Sequence, residues 1–128
     1  MQRRSLLGTA PVLLAAAAFG LPGCSQPIYD TGGGTFTGEG PLDARAKQIE
    51  RAGGGLGWQI DPVRPGLMRA TLNIRTHVAV TEIAYDQTRF TIRYVDSRNL
   101  GYSGTSIHKN YNGWIHNLER AISQQPLP

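Results

Sequence analysis

Hydrophobic positions change their spacing along this chain, and each change marks a predicted element. In "PLDARAKQIERAGGG" the residues Leu42, Ala46, Ile49 and Ala52 recur at helical spacing, Asp43 sits near the positive N-terminal end, and the glycines from Gly53 stop the run. A short amphipathic helix with a small-residue stripe follows from this, suited to lie close against a sheet.

The spacing then becomes two. Trp58 and Ile60 share one face of a short strand, Pro65 and Gly66 turn the chain, and Met68, Ala70, Leu72 and Ile74 resume the alternation. "VAVTEIAY" reads as a third strand whose phase slips between Val80 and Ile83, as a bulge in that strand would cause. "RFTIRYV" is a fourth, with Phe90, Ile92 and Tyr94 on one face. The connections at Thr76-His77 and Asp86-Gln87-Thr88 are short enough only for antiparallel neighbours.

Helical spacing returns in "SIHKNYNGWIHNLERAISQQ", where Ile107, Tyr111, Trp114, Leu118 and Ile122 form one stripe. The helix either runs through Gly113 or starts there, with Asn112 as its N-cap. The predicted fold class is α+β: a two-layer sandwich of a four-stranded antiparallel meander, with the N-terminal and C-terminal helices on one face. The predicted organisation is a signal segment at 1–23, a tether at 24–40 and one domain at 41–125.

The tether rests on composition. "SQPIYDTGGGTFTGEG", from Ser25 to Gly40, is rich in glycine and poor in residues that pack, and as a flexible chain it would reach roughly 20 to 24 Å. Ahead of it, "MQRR" is positive, "SLLGTAPVLLAAAAFGL" is apolar and uncharged, and "LPGC" ends at Cys24, the order of regions in a bacterial export signal. A permanent transmembrane helix is the weaker reading, because Gly8, Pro11 and Gly20 interrupt the run.

Charge and cysteine content then exclude several classes. The chain of 128 residues has 13 basic and 9 acidic side chains; without Arg3 and Arg4 of the export signal, 11 basic residues remain, a charge of +2. That is too little to argue for nucleic acid. A single cysteine leaves no internal disulfide and no cysteine cluster for zinc, so stability rests on packing.

Two patches carry candidate chemistry. On the polar face of the strands stand Arg69, Thr71, Asn73, Arg75, Thr91 and Arg93, either a solvated face or a cationic surface for an anionic glycan, lipid headgroup or acidic partner. With His77 at its rim and Asp96, Asn99 and His108 beside it, this is the expected binding surface. The second patch is the polar and aromatic segment 94–114. Asp96, Ser97 or Ser103, and His108 supply the residue types of a nucleophilic site, but there is no G-x-S-x-G elbow. His77, His108, His116 and Asp96 supply metal-ligand types, yet on one helix His108 and His116 would stand about 12 Å apart. The plainer reading is that Asp, Ser and Asn bond their own loop while Tyr94, Tyr102, Tyr111 and Trp114 pin it. No catalytic residue, metal or cofactor is expected.

Three resemblances add to this. Leu21, Gly23 and Cys24 resemble the lipobox of bacterial lipoproteins, with Pro22 departing from the usual small or hydroxyl residue; the match implies lipid, palmitate included, on Cys24. Ser25 is not the aspartate linked with inner-membrane retention, which implies an outer-membrane lipoprotein facing the periplasm. "RRSLL" resembles a relaxed twin-arginine export signal, although the paired arginines serve the general secretory route equally well. From Gly57 to Ile122 the chain is similar to a family of small uncharacterised lipoproteins of Gram-negative bacteria, most distinctively in "DSRNLGY" and "IHKNYNGWIHNLERAI". That family implies no catalytic residue. The expected function is a non-enzymatic binding or accessory module in the envelope, with a protein or glycan partner; the alternative is a ligand-binding or hydrolytic domain with its site in 96–112.

Overall fold

The computed structural model describes residues 24–30 and 32–128, so the export signal at 1–23 lies outside the described residues. In chain order the elements are β1 (Ser25–Pro27), β2 (Gly32–Thr35), α1 (Leu42–Gly55), β3 (Gln59–Arg64), β4 (Leu67–Ile74), β5 (His77–Tyr85), β6 (Arg89–Arg98), β7 (Ser106–His108) and α2 (Lys109–Gln124). The fold is α+β. The main sheet has five antiparallel strands in the order β2-β6-β5-β4-β3, and β1 pairs with β7 in a small second sheet.

Period-two spacing identifies the faces of the strands correctly. Met68, Ala70 and Leu72 of β4, Ala79 and Ile83 of β5, and Phe90 and Ile92 of β6 are buried together with Ile49 and Ala52 of α1. Tyr111, Ile115, Leu118 and Ile122 of α2 complete the same core, so both helices cover one sheet face. Full burial of each large side chain there contributes about 1.5 to 3 kcal/mol. The α1 helix ends where Leu56 and Trp58 donate to the Gly53 carbonyl and Gly57 takes a φ of +93°, which returns the chain toward β3.

The expected tether is replaced by structure: β1 and β2 lie within it, and the sheet gains a fifth strand. The cause is close approach. A Cβ on Gly32 would stand 3.0 Å from both Glu119 Oε2 and Ile115 Cγ2, and one on Gly33 would collide with the Phe90 carbonyl. Glycine lets this strand slide under α2, and a strand without side chains leaves no alternation to read. Phe36, which follows it, is buried and tilts against Phe90 with centroids 5.2 Å apart.

Two further expectations change in detail. The register shift lies between Val80 and Thr81, but the extra residue is Val95 on β6, because Val80 pairs with Asp96 and Thr81 with Tyr94. Thr81 is on the buried face and its Oγ1 is a buried atom without a hydrogen-bond partner, which is why the apolar pattern of β5 looks slipped. In α2, Ile107 belongs to β7 and Trp114 is half-buried, while Ile115 takes the core position.

Buried polar residues in α1 have no signal in the hydrophobic pattern. Arg45 and Gln48 are both buried. The Arg45 guanidinium donates to the carbonyls of Gln87 (2.8 Å), Thr37 (3.0 Å) and Gly38 (2.6 Å) and to Gln48 Oε1 (2.8 Å), and it lies 4.8 Å from the centre of the Phe36 ring. Gln48 in turn donates to the Gln125 carbonyl at 2.8 Å. This hub joins the segment after β2, the β5–β6 turn and the C-terminus, and it satisfies a buried charge through neutral acceptors.

Candidate functional site

The expected binding surface divides into two places. Asp61, Arg69, Glu82 and Arg93 are successive cross-strand neighbours on the outer face of β3, β4, β5 and β6. Arg69 donates to Glu82 at 2.9 Å and Arg93 to the other carboxylate oxygen at 3.2 Å. Hydrogen bonding from Arg69, with the nearby Arg93 charge, holds the Glu82 carboxyl below its ordinary value. Signs alternate along this row and cancel, so the sheet face is a charge ladder and not the cationic surface that its arginines suggest. Asp96 is also on this face, opposite Val80, and accepts from the Ser97 amide at 2.8 Å.

Arg75, His77, Asn99 and His108 come together elsewhere, at the end of the sheet where the β4–β5 turn, the end of β6, β7 and the start of α2 meet. His77 Nδ1 lies 2.6 Å from the Asn99 carbonyl. A carbonyl only accepts, so Nδ1 is the donor of this bond. His108 is the N-cap of α2: its Nδ1 accepts from the Asn110 amide at 3.1 Å, which places the neutral ring's proton on Nε2. The two rings are 5.7 Å apart, and Trp114 is 6.2 Å from His77. The Asn99 amide group donates to Thr76 Oγ1 at 2.6 Å and ties this end to the β4–β5 turn.

Backbone geometry marks the same place. Among the described residues, the non-glycine residues with positive φ are Arg75 (57°) and Asn99 (58°), both in this cluster. Asn tolerates that region well, whereas Arg there stores local strain. The combination offers hydrogen-bond donors, an aromatic face and, among the described residues, a cation outside any ion pair, on a surface that is partly open.

The polar segment 94–114 is mostly consumed by structure. β6 extends to Arg98 and β7 starts at Ser106, which leaves a short loop. Ser97 Oγ is 2.8 Å from the Tyr94 hydroxyl, Ser103 Oγ is 2.9 Å from Ser106 Oγ, and among the described residues no serine shares a hydrogen bond with a histidine. Tyr94 stacks on Tyr102 with centroids 4.0 Å apart and meets Tyr111 edge-on. Burial pushes the Tyr111 phenol well above its ordinary value. His116 is remote from this cluster in the fold, stacked on Tyr29 at 4.2 Å and 3.6 Å from Glu119. Among the described residues no three His, Cys, Asp or Glu side chains gather as a metal-binding group.

The N-terminal residues meet this end of the sheet. Ser25 pairs with His108, Gln26 with Ile107 and Pro27 with Ser106, so the exposed Cys24 emerges beside the start of α2. Asn112, which sequence suggested as a cap, instead clamps this strand: its Oδ1 accepts from the Tyr29 amide at 2.9 Å and its Nδ2 donates to the Pro27 carbonyl at 2.9 Å. The clamp is absent from the sequence pattern because its partners lie more than eighty residues away.

At the opposite end, a groove of about 510 Å³ runs between α1 and the β3–β4 hairpin, lined by Leu42, Ala46, Pro62, Val63 and Met68 with Glu50 at its rim. Comparisons with family models, with curated proteins and with solved structures find no match for this chain. Among the described residues no helix is long and apolar enough to cross a membrane.

Proposed function

We propose that this chain is an envelope lipoprotein, anchored by lipid on Cys24 and facing the periplasm from the outer membrane, and that its domain is a non-enzymatic binding or accessory module. The observation that carries the reading is the position of Cys24: it closes a charged, apolar and small-residue export pattern, matches the lipobox with Leu21 and Gly23, and is exposed where the folded domain begins. A ligand or hydrolytic site in 96–112 has less support, since Ser97 is bonded to Tyr94, Ser103 to Ser106, Asn99 to Thr76 and Asn112 to Pro27.

The test is fractionation. Cys24→Ser should move the protein from the membrane to the soluble fraction and abolish the added lipid mass. Full membrane retention of the variant would sink the anchoring reading.

A further inference from the structure

The same reading, if it holds, fixes an orientation. We propose that the β1–β7 end of the domain lies against the anionic headgroups of the bilayer that anchors it, with the β5–β6 turn directed away. A flexible tether would have held the domain off the surface, but Ser25, the residue after Cys24, is already paired with His108. One residue spans at most about 3.6 Å, which leaves no leash. The first turn of α2 is therefore kept within reach of the headgroups whenever Cys24 carries its acyl chains.

The chemistry of this end fits such a surface. Lys109 follows His108 directly, Arg75 projects from the β4–β5 turn, and Arg98 pairs with Val78 next to His77. Among the described residues the acids near this end are Asp96 and Asp30, the latter accepting from the Tyr94 amide, so the three cations outnumber two acids. Trp114 adds an amphipathic ring of the kind that settles at a membrane interface. Each cation near an anionic surface strengthens the contact about fivefold. The far end differs: the β5–β6 turn is eight strand steps from His77, roughly 26 Å away.

Two labelled full-length variants test this, Asn110→Cys at the near end and Gln87→Cys at the far end, each carrying a fluorophore on the introduced thiol while Cys24 is acylated. They are reconstituted in phosphatidylethanolamine vesicles containing phosphatidylglycerol and headgroup-nitroxide lipid. Quenching should be severalfold stronger at 110 than at 87, and Arg75→Glu with Lys109→Glu should reduce it severalfold. Equal quenching at both sites on protein that still floats with vesicles would overturn the orientation and leave the anchor standing. Quenching unchanged by the double charge reversal would overturn the headgroup contact. Protein that carries no lipid and does not float would overturn the anchor and the orientation with it.

Discussion

The two ends of the five-stranded sheet are held by different physics. At the β1–β7 end, single side chains reach across the surface: His77 to the Asn99 carbonyl, Asn99 to the Thr76 hydroxyl, Asn112 to the Tyr29 amide and the Pro27 carbonyl. At the β5–β6 end, one buried arginine gathers three carbonyls and a glutamine, and an exposed aspartate closes the turn. Surface hydrogen bonds compete with water and contribute about 1 kcal/mol each, whereas a buried charge that loses its site leaves several acceptors unpaired. The difference teaches that the far end is fastened by a buried hub and the near end by hydrogen bonds at the surface.

Breaking the hub should have the largest effect. Arg45→Ala leaves the Gly38 and Gln87 carbonyls and Gln48 Oε1 without their donor, and a loss of about 3 kcal/mol or more is expected in a denaturant titration. A loss under about 1 kcal/mol would show that the hub is dispensable. Membrane fractionation of this variant should be unchanged, since Cys24 is at the other end.

Asn112→Ala attacks the near end and should cost about 1 to 2 kcal/mol. Its sharper signature is local: amide exchange in 25–30 should accelerate with little change across β4 and β5. Uniform acceleration throughout the sheet would contradict the view of β1 as a separately clamped strap.

The smallest effect belongs to the β5–β6 turn. Amides of Arg89 and Thr88 donate to Asp86 and hold its carboxyl below the ordinary 3.8. A depressed carboxyl contributes stability above its unfolded value, and that contribution disappears as pH falls through the lower folded value. Asp86→Asn should therefore lose less melting temperature than the native chain on acidification from about pH 5 to about pH 3. An identical acid slope in both proteins would remove Asp86 from the account of that turn.

Much of the fold was legible because alternation and helical spacing report burial directly. Met68, Ala70 and Leu72, or Phe90 and Ile92, identify their strands and inner face without any partner in view. The fifth strand was not legible, since Gly32, Gly33 and Gly34 have no side chains to alternate and composition alone makes them resemble a linker. Arg45 and Gln48 were hidden for the opposite reason: polar residues read as solvent-facing until their acceptors, far away in sequence, are brought alongside. Of the candidate surface, Arg75, His77, Asn99 and His108 do share one place, while Arg69 and Arg93 both pair with Glu82 in a ladder whose second acid is Asp61.

The sequence by itself determined the helix-meander-helix core and the inward faces of β4, β5 and β6, because these depend on the local period of apolar residues. It also carries the export pattern ending at Cys24, a property of linear order. Only the tertiary structure decided that 25–35 is sheet and not leash, that the arginine face is balanced, and that Cys24 emerges beside His108 and Lys109. Each of those depends on contacts between residues distant in the chain, and spacing along a sequence does not report them.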